Sequence, residues 1–173
     1  MHDLARQATS FLFVPATRPE RFGKAMDSGA DMVIADWEDA VAPADKEGAR
    51  QALAQAVEAL EGPARARLLV RINAEGTPWH VDDLRALAQL VEQGVAGVVV
   101  SKAERAQTLH AVAQAAGAQA ALLPLIESVA GLDVADALAA APQVVRLAFG
   151  HLDFQVDAGM VCGQDEEELL PMR

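Results

Sequence analysis

The chain has 173 residues, of which 52% are hydrophobic and 23% are charged, and its formal net charge is −11. This composition predicts a globular domain with a real core, and it excludes nucleic acid as an expected partner, because phosphate backbones bind clustered Lys and Arg. A single cysteine, Cys162, rules out an internal disulfide, and no apolar run reaches membrane-spanning length, so we expect a cytoplasmic protein without a membrane partner.

Short apolar runs alternate with longer, often alanine-rich segments along the chain. The short runs predict strands and the longer segments predict helices. The predicted strands span 11–15, 31–36, 67–72, 97–100, 121–126 and 144–149. The predicted helices span 18–28, 43–60, 81–92, 103–116 and 129–139.

This strict alternation predicts a parallel sheet covered by helices, either an open doubly wound sheet or part of a (β/α)₈ barrel. No GxGxxG follows the first strand and no P-loop is present, which weakens the doubly wound interpretation. A barrel takes about 250 residues for eight units, so this chain supplies about six. The stretch 153–173 resembles the start of a further helix, and we therefore expect residues 1–173 to form a single, incomplete barrel domain.

Polar side chains follow the predicted strands at their C-terminal ends, where barrel enzymes place their chemistry. Glu127 and Asp153 each come directly after an apolar run. Their hard carboxylate oxygens suit Mg²⁺, which usually takes one or two protein carboxylates and completes its shell with water and substrate oxygens. The alternative is that each carboxylate only caps the helix that follows it.

Arg71 ends the third predicted strand, where a guanidinium can hold a carboxylate or enolate oxygen in bidentate fashion. The alternative is an ion pair with Asp36 or Glu38 that only holds the strand ends together. The acidic group of Asp36, Glu38 and Asp39 could fix Arg71, hold metal-bound water or handle a proton. Lys102 could bind an anion or act as a Schiff-base nucleophile, although a lysine at a helix start is more often a surface residue.

Six segments occur in the order seen in citrate lyase beta subunit-like proteins, and together they cover about residues 8–160. The chain therefore resembles the HpcH/HpaI aldolase/citrate lyase superfamily, to which malyl-CoA and citramalyl-CoA lyases also belong. The segments are FLFVPATRPERF at 11–22, DWEDAV at 36–41, VRIN at 70–73, SKAE at 101–104, PLIES at 124–128 and FGHLD at 149–153.

The resemblance implies a TIM (β/α)₈ barrel of the phosphoenolpyruvate/pyruvate-binding superfamily that is usually oligomeric and uses Mg²⁺. It implies that Glu127 and Asp153 are the metal ligands. It also implies that Arg71 holds the carbonyl or enolate oxygen of the substrate.

Further site residues follow from the same resemblance. Glu38 and Asp39 are implied to be the acidic pair beside the reacting atoms, and Asp36 is a further candidate for substrate binding. Arg18 and Lys24 are implied to lie near a CoA-type phosphate.

The expected function is a Mg²⁺-dependent carbon–carbon lyase. Its substrate would be a 3-hydroxy acyl thioester of citryl, malyl or citramalyl type, cleaved to an acyl thioester and a 2-oxo acid. The expected partners are the 2-oxo acid, a CoA or acyl-carrier thioester, and further copies of the chain in a homo-oligomer. Two alternatives stay open: a metal-dependent pyruvate-type aldolase of the same class, and a catalytically incomplete fragment or assembly subunit.

Overall fold

A computed structural model describes residues 2–172 and contains a six-stranded, fully parallel sheet. The strands lie in the sheet in the order in which they occur in the chain, so each β/α unit adds a strand beside the previous one. They are β1 (Phe11–Pro15), β2 (Met32–Asp36), β3 (Leu68–Ile72), β4 (Gly97–Val100), β5 (Ala121–Ile126) and β6 (Ala148–Phe149).

Helices occupy most of the connections between the strands. The α-helices are α1 (His2–Gln7), α2 (Phe22–Met26), α3 (Lys46–Ala59), α4 (Gly62–Arg65), α5 (His80–Glu92), α6 (Ala106–Ala116), α7 (Val129–Asp133), α8 (Ala135–Ala139) and α9 (His151–Asp157). Short 3₁₀ helices span Pro19–Arg21, Pro43–Asp45 and Glu167–Met172. None of the helices in the described part of the chain combines the length and the apolar character that a membrane crossing requires.

Side chains of the central strands alternate between two cores. Val33, Ala35 and Val70 face the surrounding helices and pack against them in the larger core. Met32 and Leu69, which alternate with them, face the inside of the curved sheet and form a smaller core. A sheet in sequential order with helices on its outer face is a partial β/α barrel, and the doubly wound alternative is wrong.

The structure differs from the predicted elements at several places. The predicted helix 129–139 is two short helices, because the backbone leaves helical geometry at Val134 (φ −112°, ψ 14°). Most of the predicted helix 18–28 is a 3₁₀ turn followed by the short α2, and α1 and α4 were not predicted. The stretch 153–173 contains most of α9 and a 3₁₀ helix that includes Pro171.

The sixth strand is much shorter than the predicted 144–149. Only Ala148–Phe149 pairs with β5, and Val144 forms an isolated bridge to Leu122. Between them, the Arg146 guanidinium donates hydrogen bonds to backbone carbonyls at the C-terminal end of α1, at 2.7 Å to Ala8. In this segment the chain contacts α1 and does not continue the hydrogen-bonded pairing with β5.

Candidate metal and substrate site

Asp36 and Arg71 stand at the C-terminal ends of β2 and β3 and are register partners. Arg71 Nε donates to Asp36 Oδ1 at 2.7 Å, and Arg71 Nη2 donates to Asp36 Oδ2 at 2.6 Å. Asp36 also accepts the backbone N–H groups of Glu38 at 2.9 Å and Ala40 at 3.1 Å. Each oxygen of this buried carboxylate thus accepts two hydrogen bonds, so Asp36 holds the arginine and the following loop rather than presenting a free oxygen.

Two further carboxylates face the same guanidinium. Arg71 Nη1 lies 3.0 Å from Glu38 Oε2 and 3.1 Å from Asp39 Oδ2. Burial by itself would lower the pKa of Arg71, but the hydrogen bonds and charges of Asp36, Glu38 and Asp39 outweigh it and raise that pKa. The arginine is therefore a permanent cation. The Phe13 ring of β1, 46% exposed, lies 5.1 Å from Arg71 Cζ and supports its face.

The two predicted metal ligands, Glu127 and Asp153, lie close together. The backbone N–H of Lys102 donates to Glu127 Oε1 at 2.7 Å, and Lys102 Nζ lies 3.9 Å from Asp153 Oδ2. Lys102, whose N–H makes this hydrogen bond, has a left-handed backbone conformation (φ 46°). Gly150 allows the close approach of β5 and β6 here, because a Cβ would lie 3.1 Å from Glu127 Oε2.

Glu127 is not a helix cap. The N-cap of α7 is Ser128, whose hydroxyl accepts the backbone N–H of Gly131 at 3.1 Å. Asp153 lies in the first turn of α9, after an N-cap glycine, Gly150. The capping alternative therefore does not apply to Glu127, while the position of Asp153 is compatible with both a favourable helix-end charge and a ligand role.

The site carries more negative charge than its own cations neutralise. Burial raises the pKa of Glu127 to about 7, and the charge of Asp153 adds to the rise while Arg71 opposes it. Burial likewise raises the pKa of Glu38 to about 7, against the pull of Arg71 and with contributions from Asp39 and Glu127. A divalent cation placed among these carboxylates would oppose both shifts, because its charge favours the ionised carboxylates.

The donor set fits Mg²⁺. Within residues 2–172 no group of three or more His, Cys, Asp or Glu side chains is arranged to hold a metal ion. Two carboxylates are nevertheless the usual protein contribution to a Mg²⁺ site, since this ion keeps several waters and binds substrate oxygens. Glu127 and Asp153 meet that requirement at the open end of the half-barrel.

A buried polar network behind the acidic loop was not predicted from the sequence. Lys46, Asn73 and Asp83 are 5%, 2% and 0% exposed and are joined by hydrogen bonds. One signal was available: Lys46 shares the buried face of α3 with Ala49, Leu53 and Val57. A lysine on the apolar side of a helix needs a buried set of acceptors.

The structure does not bring Lys24 into the carboxylate cluster. Lys24 lines a groove between α2 and the outer face of β1, together with Leu12 and Val14. Arg18 follows β1 and is exposed, with Glu20 3.8 Å away. Their roles at a CoA-type phosphate stay predictions.

Comparison with known proteins identifies the chain's relatives. The family model "HpcH/HpaI aldolase/citrate lyase" matches residues 9–173. A citrate lyase subunit beta-like protein from Mycobacterium tuberculosis is 37% identical over 157 residues, which are 91% of this chain and 52% of the relative. An L-malyl-CoA/beta-methylmalyl-CoA lyase from Cereibacter sphaeroides is 32% identical over 166 residues, covering 90% of this chain and 52% of the relative.

Solved structures give the same result. The citrate lyase beta subunit of M. tuberculosis, complexed with oxaloacetate and magnesium, superposes with a TM-score of 0.76 at 37% identity, covering 95% of this chain and 68% of that one. CitE from the same organism, in complex with magnesium, acetoacetate and coenzyme A, gives 0.75 at 37% identity, covering 93% and 56%. The chain spans about half the length of the curated relatives it matches. It belongs to the HpcH/HpaI aldolase/citrate lyase family.

Proposed function

We propose that the protein is a Mg²⁺-dependent carbon–carbon lyase that cleaves a 3-hydroxy acyl thioester of citryl, malyl or citramalyl type into an acyl thioester and a 2-oxo acid. The observation that carries this proposal is the guanidinium of Arg71, held by three carboxylates next to the Glu127–Asp153 pair. The malyl-CoA lyase relative and the CitE complex with magnesium, acetoacetate and coenzyme A support this substrate class.

In this proposal Glu127 and Asp153 hold Mg²⁺. Bound there, the ion would draw electron density from the carbonyl and carboxylate oxygens of the 2-oxo acid fragment. Lys102 fixes the rotamer of Glu127 through its backbone N–H, so the carboxylate is in place before any ligand arrives.

Arg71 supplies hydrogen bonds to the oxygen on which charge develops. A guanidinium has five N–H donors, and three are used on Asp36 and Asp39. Nε and Nη2 together form the bidentate hydrogen bond to Asp36. A substrate oxygen would therefore bind through the remaining donors of the guanidinium. This fixed arrangement stabilises oxyanion charge without reorganisation during the reaction.

Glu38 is our candidate for the proton transfer. A carboxyl group with a pKa near 7 can both accept and release a proton at neutral pH. Removal of the 3-hydroxyl proton lets the C2–C3 bond break: the oxygen becomes the carbonyl of the 2-oxo acid, and the bonding pair forms the thioester enolate. Protonation of that enolate at carbon completes the acyl thioester.

We infer three further properties of the whole protein. Arg18 and Lys24, which are exposed cations, would contact the phosphates of CoA or of a carrier-protein arm. Leu152 and Val156, 68% and 82% exposed one turn apart on α9, would contribute to a homo-oligomer interface. The single cysteine is consistent with the cytoplasm.

The test is cleavage of malyl-CoA and citramalyl-CoA by the purified protein, with the 2-oxo acid product measured. We expect activity that requires Mg²⁺ and is abolished by EDTA. Arg71→Ala should reduce the rate by roughly 10²–10³, the usual cost of one oxyanion donor. Arg85→Ala, an exposed arginine on α5, should leave the rate unchanged and serves as the control.

Other outcomes would contradict the proposal in different ways. Cleavage of hydroxy-oxo acids without cleavage of thioesters would favour the pyruvate-type aldolase. Absence of both Mg²⁺ binding and turnover would favour an assembly subunit. Near-normal turnover by Arg71→Ala would remove the role of the arginine.

A further inference from the structure

Lys46 is a lysine that the proposed chemistry does not use and that lies inside the protein. It is 5% exposed at the start of α3. Its ammonium donates to the carbonyl of Trp37 at 2.7 Å, to the carbonyl of Glu38 at 2.8 Å and to Asn73 Oδ1 at 2.7 Å. An ammonium has three donors, and all three are used on the loop after β2 and the end of β3.

The acceptors of Lys46 make further hydrogen bonds to one another and to Asp83. Asn73 Nδ2 donates to the carbonyl of Trp37 at 3.0 Å and to Asp83 Oδ2 at 2.7 Å, and the backbone N–H of Asn73 donates to the same oxygen at 2.9 Å. Asp83 in turn pairs with Arg50 of α3 at 2.8 Å. The network therefore ties the acidic loop to two helices, α3 and α5.

The position of Lys46 combines an electrostatic cost with a specific hydrogen-bonding role. Burial lowers the pKa of Lys46, which shows that the buried charge is costly, although Glu38, Asp36 and Asp83 partly offset the cost. An apolar side chain on the same face of α3 would avoid that cost but would leave the buried Asn73 Oδ1 without this donor. What an apolar side chain cannot do is bind two successive carbonyls, those of Trp37 and Glu38, and so fix this stretch of backbone.

The fixed stretch is the one from which the acidic side chains reach Arg71. Glu38 extends from the held backbone to within 3.0 Å of Arg71 Nη1, and Asp39 follows directly at 3.1 Å. A small displacement of this backbone would move Glu38 relative to both the guanidinium and a bound ligand. Lys46 therefore binds the backbone from which Glu38 extends towards Arg71.

We propose that Lys46 is a positioning residue, which acts through the Trp37–Glu38 backbone to set Glu38 against Arg71. The catalytic consequence of this role rests on the proposed function. The geometric coupling from Lys46 to Arg71 does not depend on it. Loss of this coupling should reduce 2-oxo acid binding and turnover while leaving Mg²⁺ binding at Glu127 and Asp153 intact.

NMR spectroscopy can read out this coupling directly. It has two tryptophans, and both belong to the network: Trp37 through its carbonyl, and Trp79 through its ring, 5.0 Å from Lys46 Nζ. Two indole N–H signals are therefore expected in a ¹H–¹⁵N NMR spectrum, and Trp79→Phe assigns them. The Arg71 Nε–H signal, assigned with Arg71→Lys, reports the acidic site itself.

The experiment compares the wild type with Lys46→Met and Lys46→Gln, and with Arg85→Met as the charge-matched control. Glutamine retains two of the three donors and protects the test against a methionine variant that fails to fold. We expect both Lys46 variants to shift or broaden the Arg71 Nε–H signal. In the presence of Mg²⁺, we expect calorimetry to show about tenfold weaker pyruvate binding, which corresponds to about 1.4 kcal/mol.

Two results separate the proposals. A folded Lys46 variant with an unchanged Arg71 signal and unchanged pyruvate affinity would overturn the positioning role. A wild-type protein that binds none of pyruvate, glyoxylate and oxaloacetate in the presence of Mg²⁺ would overturn the proposed function, and the Arg71 signal would still decide the role of Lys46.

Discussion

Asp36 binds Arg71 through both of its oxygens, and the two residues lie directly opposite each other in the register of β2 and β3. The side chains are only 2% and 11% exposed, so water can replace little of this pairing. The pair therefore links the rigid end of the sheet to the arginine that we assign to the reacting oxygen.

We expect Asp36→Ala to lower the free energy of unfolding by about 3–5 kcal/mol, because it leaves a buried guanidinium without its main partner. Urea denaturation followed by circular dichroism measures the change. Glu58→Ala, an exposed carboxylate on α3, should change stability by less than about 0.5 kcal/mol. Equal unfolding midpoints for the two variants would show that the Asp36–Arg71 ion pair does not stabilise the fold.

Mg²⁺ should stabilise the protein through Glu127 and Asp153. A ligand at 100 times its dissociation constant raises the free energy of unfolding by about 2.7 kcal/mol, which thermal unfolding with and without EDTA detects. Glu127→Gln keeps an acceptor for the Lys102 N–H, so we expect a folded variant that has lost the Mg²⁺ effect. Asp136→Asn on α8 is the control, and a full Mg²⁺ shift in both Glu127→Gln and Asp153→Asn would place the metal elsewhere.

Without a divalent cation, stability should fall as the pH rises from about 4.5 to about 7 through the titration of Glu38. Its pKa is about 7 in the folded protein and 4.5 in the unfolded reference, so the folded state binds the proton more tightly. The stabilisation is complete below the lower value and lost above the higher one. It amounts to at most about 3 kcal/mol per group.

Glu38→Gln should reduce the slope of this part of the pH profile, since an amide does not titrate, and Glu127, whose pKa is also about 7, retains its own contribution. Urea midpoints measured in EDTA between pH 4.5 and 8 provide the comparison. Glu58→Gln removes the same charge from an exposed position and should leave the slope as in the wild type. An unchanged slope in Glu38→Gln would mean that this carboxyl does not carry the effect.

Gly97 at the start of β4 should tolerate no side chain. Its φ is 158°, and a Cβ would lie 2.0 Å from the backbone oxygen of Ala121 on the neighbouring strand. Since backbone must move to relieve this overlap, we expect Gly97→Ala to cost more than about 4 kcal/mol or to prevent folding. Gly48→Ala in α3 meets nothing within 4 Å and should instead stabilise the protein by about 0.5–1 kcal/mol.

A near-native urea midpoint for Gly97→Ala would contradict the close approach of β4 and β5 that the structure shows. The glycine pair is informative because both substitutions add the same methyl group. Only the surroundings of the added atom differ.

The strands and their polar ends could be predicted because the buried strands are mostly apolar and carry a polar residue at or next to their C-terminal end. The alternation of side chains along a strand also explains why Asp36 and Arg71 point into the half-barrel. Asp36 and Arg71 have the same parity as Ile34 and Leu69, which face the inner core, so the pattern itself directs these charged groups into the half-barrel.

Other features depend on residues that are distant in the chain and leave no local pattern. The shortness of β6 is associated with the contact of Arg146 with α1, more than a hundred residues earlier. The burial of Lys46 depends on acceptors from the β2 loop and from Asn73. Periodicity reports which face of an element is apolar, but it does not report which distant polar groups will meet there.

The contact between Phe13 and Arg71 couples the site to the border of the sheet. Phe13 belongs to β1, an edge strand, and its ring is nearly half exposed while it supports the guanidinium. Any polypeptide laid along β1 would cover the ring and exclude water from that side of Arg71. The lower local dielectric would strengthen the arginine's attraction for an anionic oxygen, so assembly along this border would tune the affinity of the site without touching its ligand.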